Sequence, residues 1–143
     1  MKPVIMLVDD EVPFVETMTK RLVKRDLTIV SAHSGPEALM KLDKADPVDV
    51  VILDVKMPGM DGIDTLRAIK KAHPLIEVIM LTGHATVETG IDGMKLGAFD
   101  YLMKPCDIDL LMKKVQEAKA KKDLQNEKIS EARIREISLR RGG

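Results

Sequence analysis

Short runs of consecutive apolar residues recur along the chain, and each ends at polar or turn-forming residues. Runs of this length that are rich in β-branched residues are typical of strands buried on both faces of a sheet. A shorter segment at residues 100–103 is interpreted in the same way. The pattern predicts five strands, at residues 4–8, 27–32, 50–53, 78–81 and 100–103.

Helical periodicity occupies the segments between these strands. After Pro13, apolar side chains recur at intervals of three and four, which predicts a helix with one buried stripe made of Phe14, Val15, Met18, Leu22 and Val23. Comparable patterns predict helices from about residue 35, after residue 62, over 86–96 and from about 107 onward. Strands that alternate with helices predict an α/β domain with a parallel sheet and helices on both faces.

Polar residues follow four of the five predicted strands. Asp9 and Asp10 end the first strand, Asp54 the third, Thr82 the fourth and Lys104 the fifth. An isolated Asp at a strand end commonly caps a turn. Ligands of open parallel sheets, however, bind outside the carboxyl ends of the strands, so we expect these side chains to share one site.

The residue types at this edge indicate phosphoryl chemistry. Three carboxylates that converge cannot all stay ionised without a cation, and hard oxygen ligands suit Mg²⁺. Lys104 adds a second positive charge, while Thr82 and the N–H of Gly83 can donate hydrogen bonds to an anion. The combination predicts that Asp54 attacks phosphorus and accepts a phosphoryl group.

Composition narrows the class of protein. The 143 residues are 45% hydrophobic, enough for one compact domain, and the single Cys excludes an internal disulfide. No Cys/His zinc pattern is present, and the first apolar run is too short for a signal peptide or a membrane span. A cytoplasmic protein without membrane association is therefore expected.

Several motifs occur together in one order over about residues 3–120. They are Asp9-Asp10, Leu53-Asp54, Met57-Pro58-Gly59-Met60-Asp61-Gly62, Leu81-Thr82-Gly83 and Tyr101-Leu102-Met103-Lys104-Pro105. In that order and spacing they resemble the receiver domain of two-component response regulators, of the single-domain chemotaxis type. The resemblance implies a flavodoxin-like, doubly wound sheet with strand order 2-1-3-4-5 and five helices, the last of them extended.

The resemblance also implies a magnesium site. Asp54 would be the phosphoacceptor and a metal ligand, and Asp10 would bind Mg²⁺ directly. Asp9 would act mainly through water, and Lys56 would contribute its backbone carbonyl.

Three further roles follow from the same resemblance. Thr82 would move its hydroxyl toward the phosphate, and the rotamer of Tyr101 would follow it. Lys104 would pair with the phosphate, and its peptide bond to Pro105 would be cis.

These roles imply a bacterial phosphoprotein that signals by protein contact. A sensor histidine kinase or a histidine phosphotransfer protein would supply the phosphoryl group, and a downstream protein would bind the phosphorylated form. The chain would assist its own phosphorylation and dephosphorylation without being an enzyme in the usual sense. The chain has no evident room for an output domain. Alternatively, it is the receiver part of a larger transcriptional regulator whose output domain is absent.

Two other classes of protein share parts of this pattern. A phosphatase of the haloacid-dehalogenase type also uses an aspartyl nucleophile, but it needs an Asp two residues later, where this chain has Lys56. A flavodoxin-like cofactor module would have a loop rich in Ser, Thr and Gly after the first strand. Acidic residues from Asp9 to Glu11 stand there instead, and they would repel a phosphate unless a metal were bound.

The last segment differs in charge from the rest. We place the receiver domain at 1–120 and an extended C-terminal helix or linker at 121–143, partly disordered at its end. From Lys113 to Arg141 ten basic residues face five acidic ones, while the remainder carries 13 basic and 18 acidic residues. This basic balance is too mixed to indicate direct nucleic-acid binding. The segment is interpreted either as a frayed extension or as a partner helix, including one for a phosphorylation-dependent homodimer.

Overall fold

The computed structural model describes residues 2–44 and 47–142, with side chains through Arg140. Strands and helices alternate along the whole of this part, as predicted. The elements are β1 (Val4–Val8), α1 (Val12–Val23), β2 (Thr28–Ala32), α2 (Gly35–Leu42), β3 (Val50–Leu53), α3 (Gly62–Ala72), β4 (Glu77–Thr82), α4 (Val87–Lys95), β5 (Asp100–Met103) and α5 (Ile108–Gly142).

All five strands are parallel and form one sheet in the order β2-β1-β3-β4-β5. The fold class and strand order inferred from the sequence are therefore confirmed. Predicted boundaries are displaced by only a residue or so: Thr86, for example, is the N-cap of α4, where its hydroxyl accepts a hydrogen bond from the N–H of Thr89. Within the described residues, no helix combines the length and apolarity that a membrane crossing requires.

Alternating strand residues bury side chains in two cores, one on each face of the sheet. One core joins the sheet to α2 and α3, and the other joins it to α1 and α5. The predicted stripe of α1 is mostly buried, but the inclusion of Val23 was wrong, because its side chain is 52% exposed. It directly follows Leu22 and so lies about 100° further around the helix, off the buried face.

Ion pairs attach the middle of α5 to the amino ends of the strands. Lys119 and Lys122 lie 4.0 and 3.3 Å from Oδ1 of Asp49, and Lys121 lies 3.4 Å from Oε1 of the buried Glu77. These contacts explain how a helix with mixed surface charge is held against the sheet beyond its last apolar contacts.

The tail beyond this attachment is a continuation of the same helix. Side chains from 127 to 140 are all exposed, and α5 continues without a break to Gly142. The proposed domain limit at residue 120 falls inside α5 and stays a prediction. Residue 143, in the segment expected to end in disorder, lies outside the described residues.

Candidate functional site

The sheet brings the predicted site residues to one edge. Val8 of β1 is paired with Leu53 of β3, so the residues that follow them, Asp9 and Asp54, lie side by side. The N–H of Asp54 donates to the carbonyl of Val8 (3.0 Å), which fixes this register at the strand end. Thr82 ends β4 on the other side of Asp54. The strand-end residues therefore meet at the carboxyl edge of the sheet, as their positions in the sequence predicted.

Asp54 is a buried carboxylate whose hydrogen bonding is incomplete. Its side chain is 2% exposed, and within the described residues Oδ1 has no hydrogen-bond partner. Burial raises the pKa of Asp54 above its ordinary value, and the negative charge of Asp9 acts in the same direction. The Thr82 hydroxyl and the Lys104 ammonium partly oppose this rise in pKa. The ionised form of Asp54 therefore needs further positive charge.

Two other carboxylates lie close to Asp54. Oxygens of Asp9, Glu11 and Asp54 all lie within 4.8 Å of one another. Asp9 is buried, and its Oδ1 accepts a hydrogen bond from the N–H of Glu11 at 2.9 Å. That bond folds the loop after β1 back on itself and brings the Glu11 side chain toward the site.

Asp10 lies on the cleft beside this group, and its role as a direct Mg²⁺ ligand stays a prediction. Its side chain is exposed and is absent from the close carboxylate group found among the described residues, where Glu11 is present instead. Asp10 lies in the wall of the adjacent cleft of about 300 Å³, which is lined by Asp10, Glu11, Lys56, Met57, Pro58 and His84. Sequence reasoning gave Glu11 no role, although it directly follows the two Asp residues.

The residues at this edge fit a divalent cation. The Lys104 ammonium lies beside two of the three carboxylates, and the unpartnered Oδ1 of Asp54 is an oxygen that a metal ion could satisfy. Hard oxygen ligands beside an open cleft suit Mg²⁺, which keeps several of its waters. Lys56 lies on that cleft, and the role of its carbonyl as a ligand stays a prediction.

Lys104 reaches into the site from the end of β5. Its side chain is 14% exposed, and its Nζ donates to Oδ2 of Asp9 at 2.6 Å and lies 3.8 Å from Oε1 of Glu11. The Lys104–Pro105 peptide is cis, as the resemblance implied. The ammonium is therefore already held among the carboxylates.

Thr82 and Tyr101 are not in hydrogen-bond contact with each other. The buried Thr82 accepts a hydrogen bond from the N–H of His84 at 3.0 Å. The hydroxyl of Tyr101 lies 2.6 Å from Oγ1 of Thr89 on α4, and its ring is half-buried near Gly93. In this arrangement the Tyr101 hydroxyl is bonded to α4.

A glycine lies against the backbone of Asp54. The N–H of Gly62 donates to the carbonyl of Val55 at 2.6 Å, and a Cβ at this position would lie 2.0 Å from the carbonyl oxygen of Asp54. Any side chain would displace the strand end. The loop from 55 to 62 thus depends on Gly62 for its close approach.

Comparison with known proteins agrees with this geometry. The model of the response regulator receiver domain family matches residues 5–116. A receiver domain protein from Clostridium thermocellum, solved by crystallography, is 36% identical with a TM-score of 0.81, over 86% of this chain and 98% of that one.

Relatives in sequence are longer proteins. The DNA-binding transcriptional regulator NtrC of Escherichia coli is 36% identical over 115 residues, which are 80% of this chain and 24% of NtrC. The transcriptional regulatory protein ZraR of Salmonella typhimurium is 37% identical over 116 residues, 81% of this chain and 26% of ZraR. The chain thus spans about a quarter of the length of these relatives.

The raised pKa of Asp54 predicts how stability depends on pH without divalent cations. The folded state keeps the Asp54 proton to higher pH than the unfolded chain, whose ordinary pKa is 3.8. The cost of burying the charge is thus absent below about pH 3.8 and grows as pH rises through the folded pKa. In EDTA at neutral pH, Asp54→Asn should raise the free energy of unfolding by about 1 kcal/mol or more.

Urea unfolding at a series of pH values measures this difference. The gain from Asp54→Asn should shrink as the pH falls toward 3.8. The matched control is Asp92→Asn, which removes an exposed carboxylate on α4 and should leave stability nearly unchanged. An Asp54→Asn variant that is less stable than the native chain at neutral pH would contradict this assignment of charge.

Proposed function

Because the chain belongs to the response regulator receiver domain family, we propose that it accepts a phosphoryl group on Asp54 from a phosphohistidine. The donor would be a sensor histidine kinase or a histidine phosphotransfer protein of a two-component system. The observation that carries the proposal is the buried Asp54 carboxylate, with its unpartnered Oδ1, in a group with Asp9 and Glu11 that the Lys104 ammonium also reaches. A bound cation or a phosphoryl group would supply the partner that this oxygen lacks.

The proposed step is an in-line phosphoryl transfer. An Asp54 oxygen attacks phosphorus and forms the P–O bond of an acyl phosphate, while the P–N bond of the phosphohistidine breaks and its electron pair stays on the imidazole. Bound Mg²⁺, held by carboxylates of the acidic group, supplies neutralising charge. Lys104 pairs with a phosphoryl oxygen, and Thr82 together with the N–H of Gly83 donates hydrogen bonds to the others.

The chain in this proposal assists its own phosphorylation and, by admitting water to the acyl phosphate, its own dephosphorylation. It does not turn over free phosphate esters. Lys56, two residues after the phosphoacceptor, cannot act as the carboxylic general acid that a haloacid-dehalogenase-type phosphatase requires. Its position on the cleft instead supports a role beside the incoming donor.

We further propose that phosphorylation changes the surface formed by α4, β5 and α5. Thr82 moves toward the phosphoryl group, and the Tyr101 ring leaves Thr89 for the vacated space. The population thus shifts between two packed states, biased by one added charge. Apolar side chains already exposed near Tyr101 support a protein-binding role for this surface; they are Val87, Ile91, Met94 and Met103.

Output is proposed to pass through protein contact at this surface, in the cytoplasm of a bacterium. The names of the relatives favour one alternative, in which the chain is the receiver part of a longer transcriptional regulator. In that case the contacted partner is an output domain, and DNA binding belongs to that domain. In both cases the receiver surface makes no direct contact with nucleic acid.

Intact mass after incubation with a small acyl-phosphate donor tests phosphorylation. The native chain should gain one phosphoryl group, about 80 Da, only when Mg²⁺ is present, because the step needs charge neutralisation. Asp54→Asn should gain none, and the control Asp92→Asn should be labelled like the native chain. Stable labelling of Asp54→Asn would show that another residue is the acceptor.

Tyrosine fluorescence tests the proposed switch, since Tyr101 is the single Tyr and the chain has no Trp. Phosphorylation should change the emission intensity because the Tyr101 hydroxyl loses its contact with Thr89. In Thr82→Ala the chain should still be labelled, more slowly, but the fluorescence change should be strongly reduced. If Thr82→Ala shows the full fluorescence change, the movement of Tyr101 does not depend on Thr82, and the proposed coupling between them is refuted.

A further inference from the structure

An aromatic ring lies directly beneath the lysine of the site. Phe14, in the first turn of α1, places its ring centroid 3.8 Å from Nζ of Lys104. This distance is well inside the range of about 6 Å over which a ring face attracts a cation. The ring is half-buried and packs against the core beneath α1 and α5, so its position is set by the fold.

The ammonium of Lys104 has three kinds of neighbour. Oδ2 of Asp9 accepts a hydrogen bond at 2.6 Å, Oε1 of Glu11 lies at 3.8 Å, and the face of Phe14 lies on a further side. Two of these neighbours are the carboxylates that also surround the candidate metal position. Only the ring is uncharged and has no oxygen to offer a cation.

This difference matters when a divalent cation and a phosphoryl group arrive. A dication beside Asp9 and Glu11 reduces the negative potential that holds Lys104 and repels its ammonium. The attraction between the Lys104 ammonium and the Phe14 ring persists when the metal binds, because a phenyl ring is not a ligand for Mg²⁺. The ring can therefore keep the ammonium over the site after its carboxylate partners are engaged elsewhere.

We propose that Phe14 is a positioning residue, whose ring holds the Lys104 ammonium where it meets the phosphoryl group on Asp54. The inference rests on the proposed phosphoryl transfer and adds to it a residue outside the strand ends. Phe14 touches neither the phosphoryl group nor the metal and acts only through Lys104.

Two readouts on the same set of variants test the inference. The variants are Phe14→Leu, which removes the ring, Phe14→Tyr, which keeps it, and the control Phe99→Leu. Phe99 packs against the same core, but its ring faces Lys121 at 5.9 Å. Phe14→Leu and Phe99→Leu thus lose similar core packing, but only Phe14→Leu loses the contact with Lys104.

The first readout is the proton NMR shift of the Lys104 side chain without phosphate. A ring face at this distance should shift the ε-methylene protons upfield in the native chain, in Phe14→Tyr and in Phe99→Leu. The shift should be lost in Phe14→Leu. This signal tests whether the Phe14 ring lies over Lys104 in solution, and the labelling rate then tests whether that contact positions the ammonium.

The second readout is the labelling rate with Mg²⁺ and a small acyl-phosphate donor. Phe14→Leu should slow labelling about threefold to tenfold, equivalent to roughly 0.6 to 1.4 kcal/mol, the scale of one cation–π contact. Phe14→Tyr and Phe99→Leu should stay near the native rate, and the Mg²⁺ affinity of Phe14→Leu should match that of the native chain. If Phe14→Leu does not fold, Phe14→Met replaces it with the same expected result.

The outcomes separate this inference from the proposed function. A labelled native chain with an equally fast Phe14→Leu, or an equal slowing by Phe99→Leu, would overturn the positioning role alone. An unlabelled native chain would refute the phosphoryl transfer itself, and the inference would fall with it.

Discussion

The site depends on a surplus of negative charge that the fold has removed from water. Asp54 is buried beside Asp9, with Glu11 within 4.8 Å, and the Lys104 ammonium supplies compensating charge. Such a group is costly unless further positive charge is supplied, and the raised pKa of Asp54 reflects that cost. A bound cation would reduce this cost, and the proposed phosphoryl transfer depends on that neutralisation.

The sheet and the loop after β3 position these carboxylates. Adjacent parallel strands place Asp9 and Asp54 at one edge, and Gly62 lets the following loop pass close to the Asp54 backbone. At the opposite edge the charges are arranged differently. Glu77 is also buried, but Lys121 reaches it from α5. Charge there secures a helix, while charge at the carboxyl edge remains available for ligands.

Much of this could be predicted from the sequence because it depends on local order along the chain. Apolar runs that end in Asp54 or Thr82 identify both a strand and the residue placed at its end, which is why the sheet and the main site were predicted together. The approach of Glu11 to this group depends on how one loop folds back, through the bond from the Glu11 N–H to Asp9. A linear pattern carries no signal for that bond.

Contacts between residues far apart in the chain were not predictable in the same way. The pairing of Lys122 with Asp49 and the position of Phe14 under Lys104 join segments separated by 73 and 90 residues. Phe14 was assigned to the buried stripe of α1 on its spacing, and it does pack there. Its second contact is made by the Lys104 side chain, which reaches the start of α1 from the residue after β5.

The most direct test of the central claim is the effect of Mg²⁺ on thermal unfolding of the native chain, Asp54→Asn and Asp92→Asn. If the buried carboxylates form a cation site, Mg²⁺ should raise the Tm of the native chain and of Asp92→Asn in a concentration-dependent way, because it binds the folded state. The increase should be much smaller in Asp54→Asn. Equal increases in all three chains, or none in the native chain, would contradict the account.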